Sequence, residues 1–141
     1  MLKGVLDYFK YYPIKGLKAD KDLDYFVKVL AVSTYADGMI KNIEILETTS
    51  IIEDFLSNHF DRKNKLLNLE EMDLLKEYLH KKYVERLKEY KKDSSAFLDD
   101  KLYILDYDKD KQYYREYVKK IIEADNIVTE EEKALLEGFG R

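Results

Sequence analysis

No cysteine occurs anywhere in the 141 residues. That excludes disulfides, thiolate metal centres and cysteine nucleophiles, and it suits a cytosolic protein. Tryptophan is also absent, and the turn-forming residues are scarce, with one proline (Pro13) and five glycines. So little punctuation argues against an all-β fold made of many tight turns. No apolar run approaches the roughly 20 residues that a membrane-spanning helix needs. The start of the chain lacks the apolar core of a signal peptide, because Met1-Leu2-Lys3-Gly4-Val5-Leu6 is interrupted at once by Asp7. The chain also lacks a Ser/His/Asp signature, a glycine-rich phosphate loop and an HExxH helix. Nothing in it supports catalysis, and it is expected not to be an enzyme.

What is present points to helices. The chain has the length of one ordinary domain. It is 45% hydrophobic, enough to bury a core, and 38% charged, well above the usual quarter. Lys, Glu, Leu and Asp dominate, and most of these favour helices or their first turns. Tyrosine is abundant, with 13 copies, and its rings can line helix interfaces while the hydroxyls stay in water.

The net charge of −4 is unevenly spread. Residues 1–21 hold five lysines (Lys3, Lys10, Lys15, Lys18, Lys21) against two aspartates (Asp7, Asp20), a net +3 that leaves −7 for the remainder. An acidic body argues against nucleic-acid binding, where phosphate attraction supplies most of the affinity. It suits cations or basic partners.

The apolar periodicity predicts about seven helices and no strand. Leu2, Val5, Leu6 and Phe9 share a face in the first dozen residues, which Pro13 and Gly16 end. This basic, aromatic start reads as a helix docked on the core or as a segment touching a membrane surface. The next helix is expected from a cap at Asp22 or Asp24, with Leu23, Phe26, Val27, Leu30 and Thr34 inward. A third begins near Lys41–Asn42, carries Ile45, Thr49, Ile52 and Leu56 on one face, and fades at Ser57-Asn58-His59. The longest runs from Leu69 to Tyr90 with Met72, Leu75, Leu79, Tyr83, Leu87 and Tyr90 in one stripe. A short helix follows from Ala96 to Leu105, although Tyr103-Ile104-Leu105 alone also suits a strand. The last two span 112–123, with Tyr114, Tyr117, Val118, Ile121 and Ile122 inward, and 129–138.

One phrase occurs twice. Ala36-Asp37-Gly38-Met39-Ile40 leads, seven residues after its Asp, to Glu44; Ala124-Asp125-Asn126-Ile127-Val128 leads, again seven residues on, to Glu132. The two aspartates are 88 positions apart. Each phrase follows one apolar-periodic segment and opens another, so one helix–loop–helix unit is used in both halves. Two readings stay open. In the first the acids are architectural: Thr129-Glu130-Glu131-Glu132 is a capping box, and Asp37 and Asp125 fix tight loops through bonds to the backbone. In the second, Asp37, Glu44, Asp125 and Glu132 converge and bind a divalent cation (Ca²⁺, Mg²⁺ or Zn²⁺), because one loop alone offers too few oxygens.

Neighbouring patterns fail as metal motifs. Asp106-Tyr107-Asp108-Lys109-Asp110 alternates like an EF-hand loop, but Lys111 stands where its glycine belongs and Tyr117 where its final glutamate belongs. Glu77 and His80 form one Glu-x-x-His, but the other histidine, His59, has Leu56 at the matching place, so a di-iron set is incomplete. His80 is expected to be a surface or half-buried helix residue.

The segment Val29-Leu30-Ala31-Val32-Ser33-Thr34-Tyr35-Ala36-Asp37-Gly38-Met39-Ile40 up to Glu44 resembles the first of two hallmark copies in the TerB-like tellurite-resistance family, which is itself similar to the N-terminal part of the DjlA co-chaperones. Val118 to Glu132 resembles the second copy, and Leu135-Leu136-Glu137-Gly138-Phe139-Gly140 resembles the family's usual close. The resemblance covers residues 23–141; its middle agrees in helical character only. Asn126 replaces the second loop's glycine and tolerates the same left-handed turn. Lys41-Asn42-Ile43 replaces an acidic run before the first Glu. The resemblance implies an all-α domain with two pseudo-repeated halves and an acidic, metal-binding surface at the loops. It also implies a bacterial stress-response or tellurite-resistance role in protein assemblies at the inner face of the membrane.

The expected protein is therefore an all-α, non-enzymatic, cytoplasmic chain with an N-terminal amphipathic segment (1–22) and a TerB-like helical domain (23–141). It acts as a scaffold or sensor among the proteins of a stress or resistance assembly. The alternatives are a plain protein–protein interaction module with structural loops, and a peripheral membrane protein held by its basic N-terminus.

Overall fold

A computed structural model of the chain describes residues 9–36, 42–106, 111–124 and 128–140, with side chains from residue 47 onward in the second stretch. The expected N-terminal helix falls mostly on residues 1–8, outside the described residues. Those described are all-helical: a short 3-10 turn, Tyr12–Ile14, then α1 (Lys21–Tyr35), α2 (Asn42–Arg62), α3 (Leu69–Lys92), α4 (Ser94–Asp106), α5 (Lys111–Ile122) and α6 (Glu130–Gly138). None of the described helices is long and apolar enough to cross a membrane.

Helix α1 is the centre. The Asp20 side chain accepts a hydrogen bond from the Asp22 backbone N–H and caps its first turn, where Asp22 and Asp24 favour the positive end of the helix dipole. The cap thus falls two residues before the expected position. Ten successive or near-successive side chains, from Leu23 to Thr34, are buried. They face α2, α3, α4 and α5 together. The helix has more than one buried face because its run Val29-Leu30-Ala31-Val32 is apolar all round.

Its polar groups are satisfied inside the core. Ser33 Oγ donates to the Val29 carbonyl at 2.7 Å, and Thr34 Oγ1 donates to the Leu30 carbonyl at 2.9 Å. The Tyr25 hydroxyl donates to the Ile104 carbonyl of α4 at 2.9 Å. Phe26 stacks on Phe55 of α2, with centroids 3.7 Å apart, and meets Tyr117 of α5 edge-on.

Helix α3 packs its expected stripe inward: Leu75, Leu79, Tyr83, Leu87 and Tyr90 are buried. An Asn68–Glu71 capping box starts it and Lys91 and Lys92 lie in its last turn. At its far end, buried Asp100 of α4 accepts from Arg86 Nε at 2.9 Å, Arg86 Nη2 at 2.6 Å and the Tyr90 hydroxyl at 2.6 Å. Burial, then the Asp100 carboxylate, pushes the Tyr90 hydroxyl well above its usual range, which keeps it a donor.

Two expectations are corrected. Helix α2 does not fade at Ser57-Asn58-His59 but continues to Arg62. Phe55, Leu56, His59 and Phe60 are buried against the core, and that packing outweighs the weak helix propensity of Ser, Asn and His. On the same helix Ile52 and Leu56 are buried as the spacing predicts, but Thr49 is exposed and Thr48 takes the inward place. Tyr103-Ile104-Leu105 is helical and buries Ile104.

The central position of α1 sets a contrast in stability. Leu30, with no exposure, should lose about 2–5 kcal/mol on Leu30→Ala. Leu98, 52% exposed on α4, should change by less than about 0.5 kcal/mol on Leu98→Ala. Urea unfolding followed by circular dichroism measures both, and equal losses would remove α1 from the centre of the core.

Candidate functional site

Of the four acids expected to gather, Asp37 and Asp125 lie outside the described residues, as does the side chain of Glu44. Glu132 is described. It is 1% exposed, its Oε1 accepts from the Thr129 N–H at 3.0 Å, and its own N–H donates to Thr129 Oγ1 at 3.2 Å. Both bonds of the capping box are therefore made, and Glu132 performs the architectural role at the start of α6. Glu44 and Glu132 occupy the same place in their elements, the third residue of α2 and of α6.

A different ionic group closes the start of α1. Asp20, Asp22 and His59 bring their ligand atoms within 4.8 Å of one another, the one metal-compatible group among the described residues. The histidine comes from the last turn of α2, where stacking on Phe55 (centroids 5.2 Å apart) and an edge contact with Phe60 orient its ring. His59 Nε2 lies 2.8 Å from Asp20 Oδ2. Lys63 Nζ donates to the same Asp20 oxygen at 2.6 Å and stands 4.0 Å from Asp22 Oδ2.

The chemistry of this group follows from how fully it is used. Asp20 Oδ1 accepts the α1 cap bond at 2.9 Å while Oδ2 takes His59 and Lys63. Burial alone would raise the Asp20 carboxyl, but hydrogen bonds from Lys63, His59 and the Asp22 N–H outweigh it and hold the carboxyl below its usual value. One imidazole and two carboxylates are a ligand set a zinc-like cation accepts. The Lys63 ammonium already bridges the carboxylates, so such an ion would have to displace it. The arrangement therefore acts as a lock joining the N-terminus of α1 to the C-terminus of α2. Next to it Tyr114 of α5 is buried, and burial followed by the Asp22 charge pushes its hydroxyl upward.

Sequence reasoning missed this lock. The sequence pattern places the cap at Asp22 or Asp24 and has α2 fade at Ser57-Asn58-His59. The available signal is Asp20-Lys21-Asp22 immediately before Leu23, together with His59 four residues after Phe55 on the inward stripe of α2.

The second feature is apolar. Leu66 and Leu69, between α2 and the body of α3, are 92% and 85% exposed. Leu66 lines a cleft of about 590 Å³ whose wall is half apolar, with Leu56, Phe60, Leu67 and Met72, and half polar, with Ser57, Asn58, Asp61, Asn64 and Lys65. Glu77 and His80 do not form a metal site: Glu77 is paired with Lys10, and half-buried His80 leans on Tyr83. Comparison with known proteins adds no relative, because no family model, curated protein or solved structure matches the chain.

The lock carries a pH signature. The folded carboxyl of Asp20 holds its proton less tightly than the unfolded one, so its stabilisation is fully present above the ordinary aspartate value of about 3.9. It is lost as pH falls through the lowered folded value. Asp20→Ala should cost about 1–2 kcal/mol at neutral pH through the cap alone, and its urea midpoint should fall less steeply than the native one below pH ~4. Parallel acid limbs for the two proteins would show that Asp20 is not held by the lock.

Proposed function

We propose that this chain is a non-catalytic, TerB-like helical domain that serves as a scaffold or sensor in a stress-response assembly, with divalent cations bound at its two Asp…Glu loops. The observation that carries the reading is the register of the helices around the repeated phrases. Helix α1 ends at Tyr35 and α2 begins at Asn42; α5 ends at Ile122 and α6 begins at Glu130. Each phrase thus runs between two helices, and each Glu is the third residue of the second one. The first helices of the two units also pack together, through Tyr25 against Tyr114 and Phe26 against Tyr117. A cation shared between Asp37 and Asp125 would tie the ends of two helices that already touch, and its loss would loosen a surface offered to a partner.

Calorimetric titration of Ca²⁺, Mg²⁺ and Zn²⁺ into metal-free protein tests the cation role. Binding that Asp37→Asn/Asp125→Asn abolishes is the expected result. No heat from the native protein for any of the three ions would overturn it.

One observation favours a second reading, a plain protein-interaction module with structural loops. Two nearly fully exposed leucines, Leu66 in the wall of a half-apolar cleft and Leu69 at the start of α3, suit an apolar segment of a partner protein. Leu66→Asp/Leu69→Asp should then abolish specific crosslinks formed in cells and leave the fold intact by circular dichroism. Unchanged crosslinks would exclude that face.

A further inference from the structure

A cleft of about 400 Å³ lies between α1, α3 and the turn that precedes α1. Its size falls within the range of small-molecule sites. Leu23, Val27 and Leu79, each almost fully buried, supply its apolar floor. Its walls carry four cations, Lys18, Lys28, Lys82 and Arg86, against two carboxylates, Asp24 and Glu85.

The pairing of those charges decides what is left over. Lys28 meets Asp24 at 3.3 Å and Lys82 meets Glu85 at 3.7 Å, each within its own helix and each with an acid at least half exposed. Such pairs are weak and open readily. Arg86 is committed to buried Asp100. Lys18 has no carboxylate within ion-pair distance among the described residues. Its ammonium stands over the rings of Tyr11 and Tyr78, 5.9 and 5.6 Å from their centroids. The Lys82 ammonium lies over the same Tyr78 ring at 5.6 Å, so Tyr78 carries two cations on one side chain. A chain with net charge −4 thus concentrates positive charge at the mouth of an apolar-floored cleft.

We infer that this cleft binds an amphiphilic anion, with an apolar body on Leu23, Val27 and Leu79 and a carboxylate, sulfonate or phosphate head on Lys18 and Lys82. Both ammonium groups lie 5.6 Å from the centroid of the Tyr78 ring, and all three residues line the cleft. The apolar body excludes water from the floor and strengthens the ionic contact above it. Simple inorganic anions lack that body and gain only the weak surface term. The site is distinct from the Asp…Glu loops and from the Asp20–His59–Lys63 lock, and it does not depend on either.

The test uses 8-anilinonaphthalene-1-sulfonate, an aromatic anion, titrated into the full chain by fluorescence and calorimetry. Its uncharged parent, N-phenyl-1-naphthylamine, serves as control. Saturable binding at one site, weakened about tenfold by Lys18→Glu or Lys82→Glu and unchanged by Lys88→Glu elsewhere on α3, is the expected result. Circular dichroism and thermal unfolding establish that the variants, all at exposed or half-exposed positions, stay folded. Octyl phosphate in solution and phosphatidylserine vesicles then distinguish the natural source: displacement by the former assigns a soluble anion, and displacement by vesicles alone assigns a lipid head group. No saturable binding, equal affinity for the uncharged parent, or equal weakening by Lys88→Glu overturns the proposal.

Discussion

Helix α1 is enclosed by four neighbours, and that enclosure dictates most of the structure. A helix with a single apolar stripe needs only one partner. One that reads Val29-Leu30-Ala31-Val32-Ser33-Thr34 in its second half must be covered around its circumference. Covering it leaves no water for its polar groups. Ser33 and Thr34 therefore bond back to their own helix, and Thr34 also meets the Tyr83 hydroxyl at 2.8 Å. Each unmet buried group would cost about 1–3 kcal/mol, comparable with a sizeable share of a domain's net stability.

The tyrosines make that enclosure workable without tryptophan. A tyrosine ring buries as apolar surface while its hydroxyl reaches a carbonyl or carboxylate. Tyr25 does so to the Ile104 carbonyl near the end of α4 and Tyr90 to the Asp100 carboxylate, while the Tyr83 hydroxyl meets that of Thr34. Buried Tyr11 and half-buried Tyr78 instead offer their ring faces to lysine ammonium groups. The same residue type thus serves as a core spacer with a polar tip and as a platform for cations.

Much of this was legible in the chain and some of it was not. The period of 3.6 marked α1, α3 and α5 well, and every inward residue expected on α5 is buried. Thr129 and Glu132 announced their capping box through spacing alone. Long-range packing was not legible. Phe60 belongs to α2 because it meets the core, not because its neighbours favour helix. Asp20 caps α1 because His59 and Lys63, 39 and 43 residues away, hold its carboxylate in place. Lys18 and Lys82 share Tyr78 only after α3 folds against the first turn. Of the expected cation site, Glu132 alone is placed, and its carboxylate is engaged at the cap.

Function in this account rests on where the helix ends go. Helices α1 and α5 pack together near their starts, and each runs on toward an Asp-containing phrase. A scaffold that responds to cations needs those phrases side by side; a purely architectural pair does not. The chain has no native cysteine, so Ala36→Cys/Ala124→Cys would carry spin labels at the equivalent positions of both units and nowhere else. Double electron–electron resonance between them measures the separation directly. The account predicts one narrow distance below about 20 Å, whereas a distance beyond about 30 Å, close to the full width of a domain this size, would contradict a shared site.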